Sequence, residues 1–303
     1  MEIQPEKQNL DQTFSNTVYH IDFYQRSYKW GEEPVQRLFD DILYEFEESW
    51  KKNPDLDPNR ANIDANYPWG AEEILQEIRK TTSKPVKFVF NTHYHHDHTF
   101  GNAIFVDAGA TIVSTAKTAE EMRSLGQYEW DHGSGYSGRN MKGYRREFPS
   151  LLFNDTIVFD DSIHRVELIR MGPAHTGGDG VAFLPKEKIL VTGDLFINGN
   201  PWGNNVADAD ADYDKWLDVL ETMAGWNVTI VIPGHGEPAT TEQLKNQRLY
   251  LKDMLDQVRK GIKDGKTKEQ LILEVDLSKH PVYGENKVSI KRSVGDMYDR
   301  LSK

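Results

Sequence analysis

Four of the ten histidines of this chain stand within six positions, in the segment "HYHHDH" that closely follows the apolar run "VKFVF". In an extended segment, side chains two positions apart point the same way, so His93 and His95 can bind one cation together. Asp97 and His98 come next and can reach a second ion, at the spacing of about 3.5–4 Å found in two-metal hydrolases. The segment therefore predicts part of a two-metal site, which needs further ligands from elsewhere.

Three more candidate ligands follow apolar runs farther along the chain. His175 lies in "GPAHTGGDG" after one predicted strand, Asp194 in "VTGD" after another, and His235 in "PGHG" after a third. Loops at strand ends are common positions for functional side chains. Glycines beside two of these histidines permit sharp turns that aim an imidazole inward. We expect all three side chains to meet the histidine cluster.

The composition restricts the kind of ion. The chain has no cysteine, so a bound metal must rest on imidazole nitrogen and carboxylate oxygen. Zinc accepts these ligands, and at a catalytic site it takes three of them from the protein and keeps one position open for water. A nitrogen and oxygen site also accepts manganese or iron. We therefore predict two Zn²⁺ ions, with Mn²⁺ or Fe²⁺ as alternatives.

From about residue 71 onward, apolar periodicity predicts strands and helices that alternate in short units. Helices are predicted in "AEEILQEIRKTT", "TAKTAEEMRSL" (opened by a capping Thr115), "YDKWLDVLETM" and a long segment at about 241–261. Strands are predicted in "VKFVF", "GATIVS", "DTIVF", "RVELIRM", "GVAFLP", "KILVTGD" and "VTIVIPGHG". One aspartate of "DADADYD" is expected to cap the helix that begins near Tyr213. The pattern indicates layered α/β architecture.

The first sixty residues have a different pattern. Residues 32–50 have the apolar stripe of an amphipathic helix, and the following Pro- and Asn-rich stretch is typical of a linker. We predict an N-terminal helical segment with its linker at 1–60 and a second domain at 61–303. Residues 21–42, "IDFYQRSYKWGEEPVQRLFDDI", are similar to the opening segment of ParB-like nuclease domains of some restriction enzymes. Residues 126–149, rich in glycine and aromatic residues, are predicted to be a surface insertion.

These four motifs together resemble the metallo-β-lactamase superfamily in its dinuclear, cysteine-free form. The likeness runs from about residue 63 to 250, with the motifs in the order of that family. It implies an α+β fold, a four-layer αββα sandwich, here preceded by an atypical N-terminal segment. It also implies a ligand set for each ion. The first metal would be held by His93, His95 and His175, the second by Asp97, His98 and His235, with Asp194 bridging both.

The resemblance implies a hydrolase of a small-molecule substrate. A hydroxide bridging the two zinc ions would be the nucleophile, because metal coordination lowers the pKa of bound water to about 7. Asp97 would be the catalytic residue that orients this nucleophile and carries its proton to the leaving group. The bond hydrolysed would belong to an ester, lactone, β-lactam or other amide, or thioester.

Two loops are candidates for substrate recognition. Residues 131–147 and 196–202 combine aromatic and basic side chains, which suits a partly apolar, anionic substrate. The alternative is a solvated basic loop that balances an acidic protein. The side chains concerned are Tyr136, Arg139, Tyr144, Arg145, Arg146, Phe196, Asn198 and Trp202. His96 is expected to point away from the metals, and His20, His132, His164 and His280 have no motif around them.

Other functions are weighed by charge and composition. A formal net charge of -12 argues against a nucleic-acid partner, although a metal-dependent nuclease is kept as an alternative, as is a non-catalytic member with a vestigial site. No apolar stretch has the length of a signal peptide or of a membrane span of about 18 residues. We predict a soluble protein without membrane association, cytoplasmic by default, with a periplasmic or secreted location left open. The oligomeric state does not follow from the sequence.

Overall fold

The computed structural model of the chain describes residues 67–199 and 211–303. The predicted helix at 32–50, the ParB-like segment and the boundary at residue 60 lie outside the described residues, as do Trp202, Asp208 and Asp210. The division into two domains therefore stays a prediction. None of the described helices is long and apolar enough to span a bilayer.

The first β-sheet has three parallel strands in the order β1, β2, β3. These strands are β1 (Phe88–Phe90), β2 (Thr111–Thr115) and β3 (Leu151–Phe153). The helices that accompany this half are α1 (Pro68–Thr81), α2 (His96–Thr99), α3 (Asn102–Asp107), α4 (Ala116–Ser124), α5 (Gly126–Asp131) and α6 (Gly133–Ser137). The Thr115 side chain caps α4 by accepting a hydrogen bond from the backbone N–H of Thr118, as predicted.

The second β-sheet has five strands in sequence order. They are β4 (Thr156–Asp160), β5 (Arg165–Arg170), β6 (Gly180–Leu184), β7 (Ile189–Val191) and β8 (Ile230–Ile232). The strands from β4 to β7 pair antiparallel, and β8 joins β7 in parallel. Each strand predicted from residue 86 onward is therefore present, with shorter bounds in several cases.

The two sheets face each other, and helices cover their outer faces. Val113 of β2 packs with Phe153 and Leu168, which joins the first sheet to the second. Its neighbour Ile112 points to the opposite face and is also buried, because strand side chains alternate and both faces of this strand are covered. Helices α3 and α4 contact β2 on the outer side. The predicted α+β sandwich with four layers is thus confirmed.

The outer face of the second sheet is covered by the C-terminal helices. These are α7 (Tyr213–Ala224), α8 (Thr241–Lys263), α9 (Lys268–Glu274) and α10 (Lys287–Leu301). Asp212 caps α7 by accepting a hydrogen bond from the N–H of Lys215, so it is the capping aspartate expected from the sequence. Apolar side chains from α7, α8 and α10 pack with those of β6, β7 and β8 in the largest core cluster.

The glycine-rich stretch at 126–149 is only partly a surface insertion. It forms α5, α6 and a loop, and Met141 of that loop is buried against Tyr67 and Phe100. Trp130 meets Phe100 edge to face, with ring centroids 4.8 Å apart. The aromatic residues of this stretch therefore form a small core beside the first sheet, which the sequence pattern did not reveal.

Packing in the largest core cluster leads to a prediction for the stability of a variant in which a leucine of α8 is truncated. Leu244 is fully buried, whereas Leu249 on the same helix is 52% exposed. We expect Leu244→Ala to lower the free energy of unfolding by about 2–5 kcal/mol, since it removes buried methyl groups and leaves a cavity. The same change at Leu249 should cost about 0.5 kcal/mol or less. Urea unfolding followed by circular dichroism measures both, and equal losses would contradict the packing described.

Candidate metal centre

Four strands bring the seven candidate ligands to one end of the sandwich. His93 and His95 follow β1, and Asp97 and His98 lie in the short helix α2 that begins directly after them. The other three follow strands of the second sheet: His175 lies in the loop between β5 and β6, Asp194 in a 3-10 turn after β7, and His235 in the loop after β8.

The seven side chains form two adjacent groups. In the first, each of four residues offers a ligand atom within 4.8 Å of the others; the four are His93, His95, His175 and Asp194. In the second, Asp97, His98 and His235 do the same. His93 Nε2 lies 3.0 Å from His95 Nδ1, and His98 Nε2 lies 3.3 Å from His235 Nε2. Residues up to 142 positions apart thus meet in one place.

Asp194 contacts both groups. Its Oδ2 atom is 3.8 Å from His93 Nε2 and 3.7 Å from His175 Nε2. The same carboxylate is 3.2 Å from His98 Nε2 through Oδ1 and 3.4 Å from His235 Nε2 through Oδ2. Its position between the groups is the one that a bridging ligand requires. The assignment of each residue as a ligand stays a prediction that metal measurements address.

The cluster is buried but reaches solvent through its second group. The Asp97 and His98 side chains are 12% and 11% exposed, more than the other members. Asp97 Oδ2 lies 3.1 Å from His235 Nε2. A substrate atom or water would therefore approach the centre beside Asp97.

The electrostatics of the cluster favour a bound cation. Burial opposes ionisation of Asp194, but His235, His98 and His93 around it hold its pKa well below the usual carboxyl range. Burial alone would lower the pKa of His98 and His235, yet Asp194 and Asp97 raise these values to about 9 and about 10. His93 has the opposite shift, since burial and the neighbouring His98 lower its pKa well below the usual value.

This donor set fits a pair of divalent cations. Two ionised carboxylates attract positive charge into the buried cluster, and without a metal only protons on imidazoles supply it. The imidazole nitrogens also face one another at hydrogen-bonding distance, an arrangement that a shared cation satisfies. Nitrogen and oxygen ligands in these numbers match zinc, and they also match manganese or iron.

Several residues that the sequence analysis did not single out hold the candidate ligands in place. Thr92 Oγ1 lies 3.0 Å from His93 Nδ1, so the opposite nitrogen of that ring faces the cluster. The buried amides of Asn91 and Asn102 exchange two hydrogen bonds of 2.9 and 3.0 Å. Asn91 also donates to the carbonyl of His98. This amide pair fixes the ends of the histidine segment.

His96 and the predicted recognition loops have other partners. Tyr67 Oη lies 2.8 Å from His96 Nδ1, and His96 belongs to neither metal group, as expected. Arg145 makes paired hydrogen bonds to Asp107. Arg146 donates to the backbone of Met122 and lies over the Phe148 ring.

One of the predicted recognition residues is buried, and others contact neighbouring side chains or backbone. Phe196 is fully buried in the large core, so its prediction as a substrate-recognition residue was wrong. Asn198 donates to the carbonyl of Glu237. Arg139 lies over the ring of Trp69, which is itself stacked on Tyr67.

The close approach of Gly234 to Asp194 gives a direct test of the centre. A Cβ at position 234 would overlap Asp194 Oδ1 and lie 2.7 Å from the backbone of Gly193. We expect Gly234→Ala to displace the carboxylate and to lower zinc affinity by at least about tenfold, the scale of other changes that misplace a ligand. Competition with a chromophoric chelator measures this.

A matched control is Gly135→Ala in α6, where a Cβ would have no atom of the described residues within 4 Å. That variant should bind zinc as the unaltered chain does. Unchanged affinity in Gly234→Ala would show that Asp194 is not a ligand.

Comparison with known proteins gives a consistent picture. A family model described as the metallo-beta-lactamase superfamily matches residues 63–235. The chain is 30% identical over 169 residues to a metallo-beta-lactamase type 2 from Bacillus sp. (strain 170), covering 55% of this chain and 58% of that protein. It is 22% identical over 270 residues to a linear primary-alkylsulfatase from Pseudomonas sp. (strain ATCC 19151), covering 75% and 51%.

Among solved structures, a double mutant of the sec-alkyl sulfatase PisA1 shares the fold. Its TM-score is 0.61 at 16% sequence identity, covering 78% of this chain and 44% of that one. The chain spans between half and three fifths of the length of both curated relatives. The match to the family model, at residues 63–235, contains all seven residues of the cluster.

Proposed function

The chain belongs to the metallo-beta-lactamase superfamily of hydrolases, and on that premise we propose that its seven-residue cluster binds two zinc ions and hydrolyses an ester, lactone, β-lactam or thioester bond of a small molecule. The observation that carries this proposal is the position of Asp194, which lies within 3.2–3.8 Å of imidazoles from both groups. One carboxylate in that position can bind two ions. The two ions, when bound, would supply a water-derived nucleophile at neutral pH and polarise the bond to be broken.

We assign a separate role to each side chain of that centre. His93, His95 and His175 would hold one ion, Asp97, His98 and His235 the other, and Asp194 both. Asp97 also has access to solvent and touches His235. It would orient the attacking water and transfer a proton to the leaving group, which is general acid–base catalysis by a positioned carboxylate. Its low pKa, held down by His98 and His96 against the effect of burial, keeps it ionised to accept that proton.

Metal content and turnover test the proposal together. The purified protein is stripped with a chelator, loaded with zinc, manganese or iron(II), and its metal is quantified. Each form is then assayed with nitrocefin, an N-acyl homoserine lactone and S-lactoylglutathione. Two zinc equivalents with turnover of one substrate would support the proposal. No metal after zinc loading would overturn it and favour the vestigial alternative.

A sulfate ester is a second candidate substrate. The similarity to the alkylsulfatase covers 75% of this chain, against 55% for the metallo-beta-lactamase. This wider match is the observation that supports the second candidate, although its identity, 22%, is lower than the 30% of the metallo-beta-lactamase. Release of inorganic sulfate from dodecyl sulfate, compared between the zinc-loaded and stripped protein, tests this candidate. Absence of zinc-dependent sulfate release would remove it.

The nuclease alternative predicts cleavage of nucleic acid. With a net charge of -12, the chain would repel a phosphate backbone, so we infer a small-molecule substrate. Incubation with single- and double-stranded RNA and DNA in the presence of Mn²⁺ should leave them intact. The cytoplasmic location predicted from the sequence stays a prediction.

A further inference from the structure

The segment that follows Asp194 is held by side chains from the C-terminal helices. Gln247 of α8 accepts a hydrogen bond of 2.8 Å from the N–H of Ile197 and donates one of 2.9 Å to the carbonyl of Leu195. Trp216 of α7 donates to that same carbonyl at 2.9 Å. Tyr283, in a 3-10 turn before α10, donates to the carbonyl of Ile197 at 2.9 Å. The backbone directly after the candidate bridging ligand is thus fixed by three distant residues.

This segment is also joined to a second candidate ligand. The N–H of Asn198 donates to the carbonyl of His235 at 2.9 Å, and Ile197 forms an isolated β-bridge with His235. The N–H of Gly234 donates to the carbonyls of Gly193 and Phe196, each at 3.0 Å. Any movement of residues 195–198 would therefore shift Asp194 and His235 together.

Gln247 is suited to this task by its chemistry and its burial. It is fully buried, and its amide both accepts and donates, so one side chain satisfies two backbone groups of opposite polarity. An apolar replacement would remove the acceptor of the buried Ile197 N–H and one of the two hydrogen bonds to the Leu195 carbonyl. Because an unsatisfied N–H in the interior is unfavourable, the segment should move to restore a partner. The residue lies beyond position 235, where the match to the family model ends.

We propose that Gln247 is a positioning residue that holds Asp194 and His235 in ligating geometry, so that the C-terminal helices set the metal affinity of the centre. The proposal rests on the proposed function, because it assumes that the cluster binds zinc. His235 belongs to the second metal group alone, while Asp194 touches both. Loss of the Gln247 contacts should therefore weaken the second ion more than the first.

The test compares two glutamines of α8 that make the same kind of contact. Gln257 accepts from the N–H of Asp276 and donates to its carbonyl, at 3.1 and 2.9 Å, and neither residue belongs to the metal groups. Gln247→Met and Gln257→Met each remove one such pair of bonds and keep a side chain of similar length. Zinc affinity is measured by chelator competition, and the Co²⁺-loaded proteins are compared by their absorption spectra.

We expect Gln247→Met to lower the affinity for one zinc equivalent by about 10–100-fold, the usual effect of losing a residue that orients a ligand, and to alter the Co²⁺ spectrum. Gln257→Met should match the unaltered chain in both readouts. Two equivalents bound by Gln247→Met with unchanged affinity would overturn this inference alone, whereas an unaltered chain that binds no zinc would overturn the proposed function.

A milder variant decides the matter if Gln247→Met does not fold. Tyr283→Phe removes only the hydroxyl that binds the Ile197 carbonyl and keeps the ring that stacks on Tyr250. Its zinc affinity should fall in the same direction by a smaller factor. An affinity equal to that of the unaltered chain would then count against control of the centre by the C-terminal helices.

Discussion

Asp194→Asn should cause the largest loss of metal binding among single substitutions in this chain. The change keeps the shape of the side chain but removes the negative charge that contacts imidazoles of both groups. Since Asp194 is a proposed ligand of both ions, its loss should exceed the effect of about 10–100-fold seen when only an outer partner of a ligand is removed. We expect fewer than one zinc equivalent to remain after desalting and turnover to fall more than about 100-fold. Inductively coupled plasma spectrometry and the substrate panel measure these quantities.

The same substitution at an exposed position provides the control. Asp218 lies on α7 with its side chain in solvent, so Asp218→Asn should retain both zinc equivalents and full turnover. Retention of two equivalents in Asp194→Asn would mean that the two groups do not share this carboxylate, and the dinuclear assignment would then be wrong.

The seven-residue cluster could be predicted from the sequence because each of its motifs is short and local. Each candidate ligand follows an apolar run, and strand ends in a layered fold converge on one side. The alternation of side chains along an extended segment predicted that His95 faces the metals and that His96 points away. The structure places only His95 in a metal group. The proposed bridging role of Asp194, by contrast, is implied by the family resemblance, since nothing in "TGD" itself indicates contact with both groups.

The residues that hold the ligands were harder to predict because their partners are mostly backbone groups far along the chain. Gln247 binds the backbone of Leu195 and Ile197, and no sequence pattern specifies such a contact. One signal was present: Gln247 lies on the buried face of α8 among Leu244, Leu251 and Met254, and a polar residue on an apolar stripe needs a partner. The burial of Phe196 was missed for a related reason, because it belongs to a core cluster whose other members are scattered along the chain from Ala174 to Met297.

His95→Ala should remove one zinc equivalent and nearly all turnover while leaving the second group able to bind. The His95 side chain belongs to the first group only, with its Nδ1 atom 3.0 Å from His93 Nε2. Its backbone carbonyl accepts bonds from the N–H of His98 and from Thr99 Oγ1, and an alanine keeps these bonds. The loop should therefore survive, and the ligands of the second group should still hold one ion.

His96→Ala separates the loss of a ligand from a general disturbance of the histidine segment. It removes an imidazole from the next position, one that binds Tyr67 and belongs to neither group, so both zinc equivalents should remain. We expect His95→Ala to bind one equivalent and to lose more than about 100-fold in turnover, beyond the effect of removing an outer partner. If both variants lost the same amount of zinc, the segment would have collapsed as a whole. If His95→Ala kept two equivalents and full turnover, His95 would not be a ligand, because removal of one of the four side chains around the first ion has to weaken its binding.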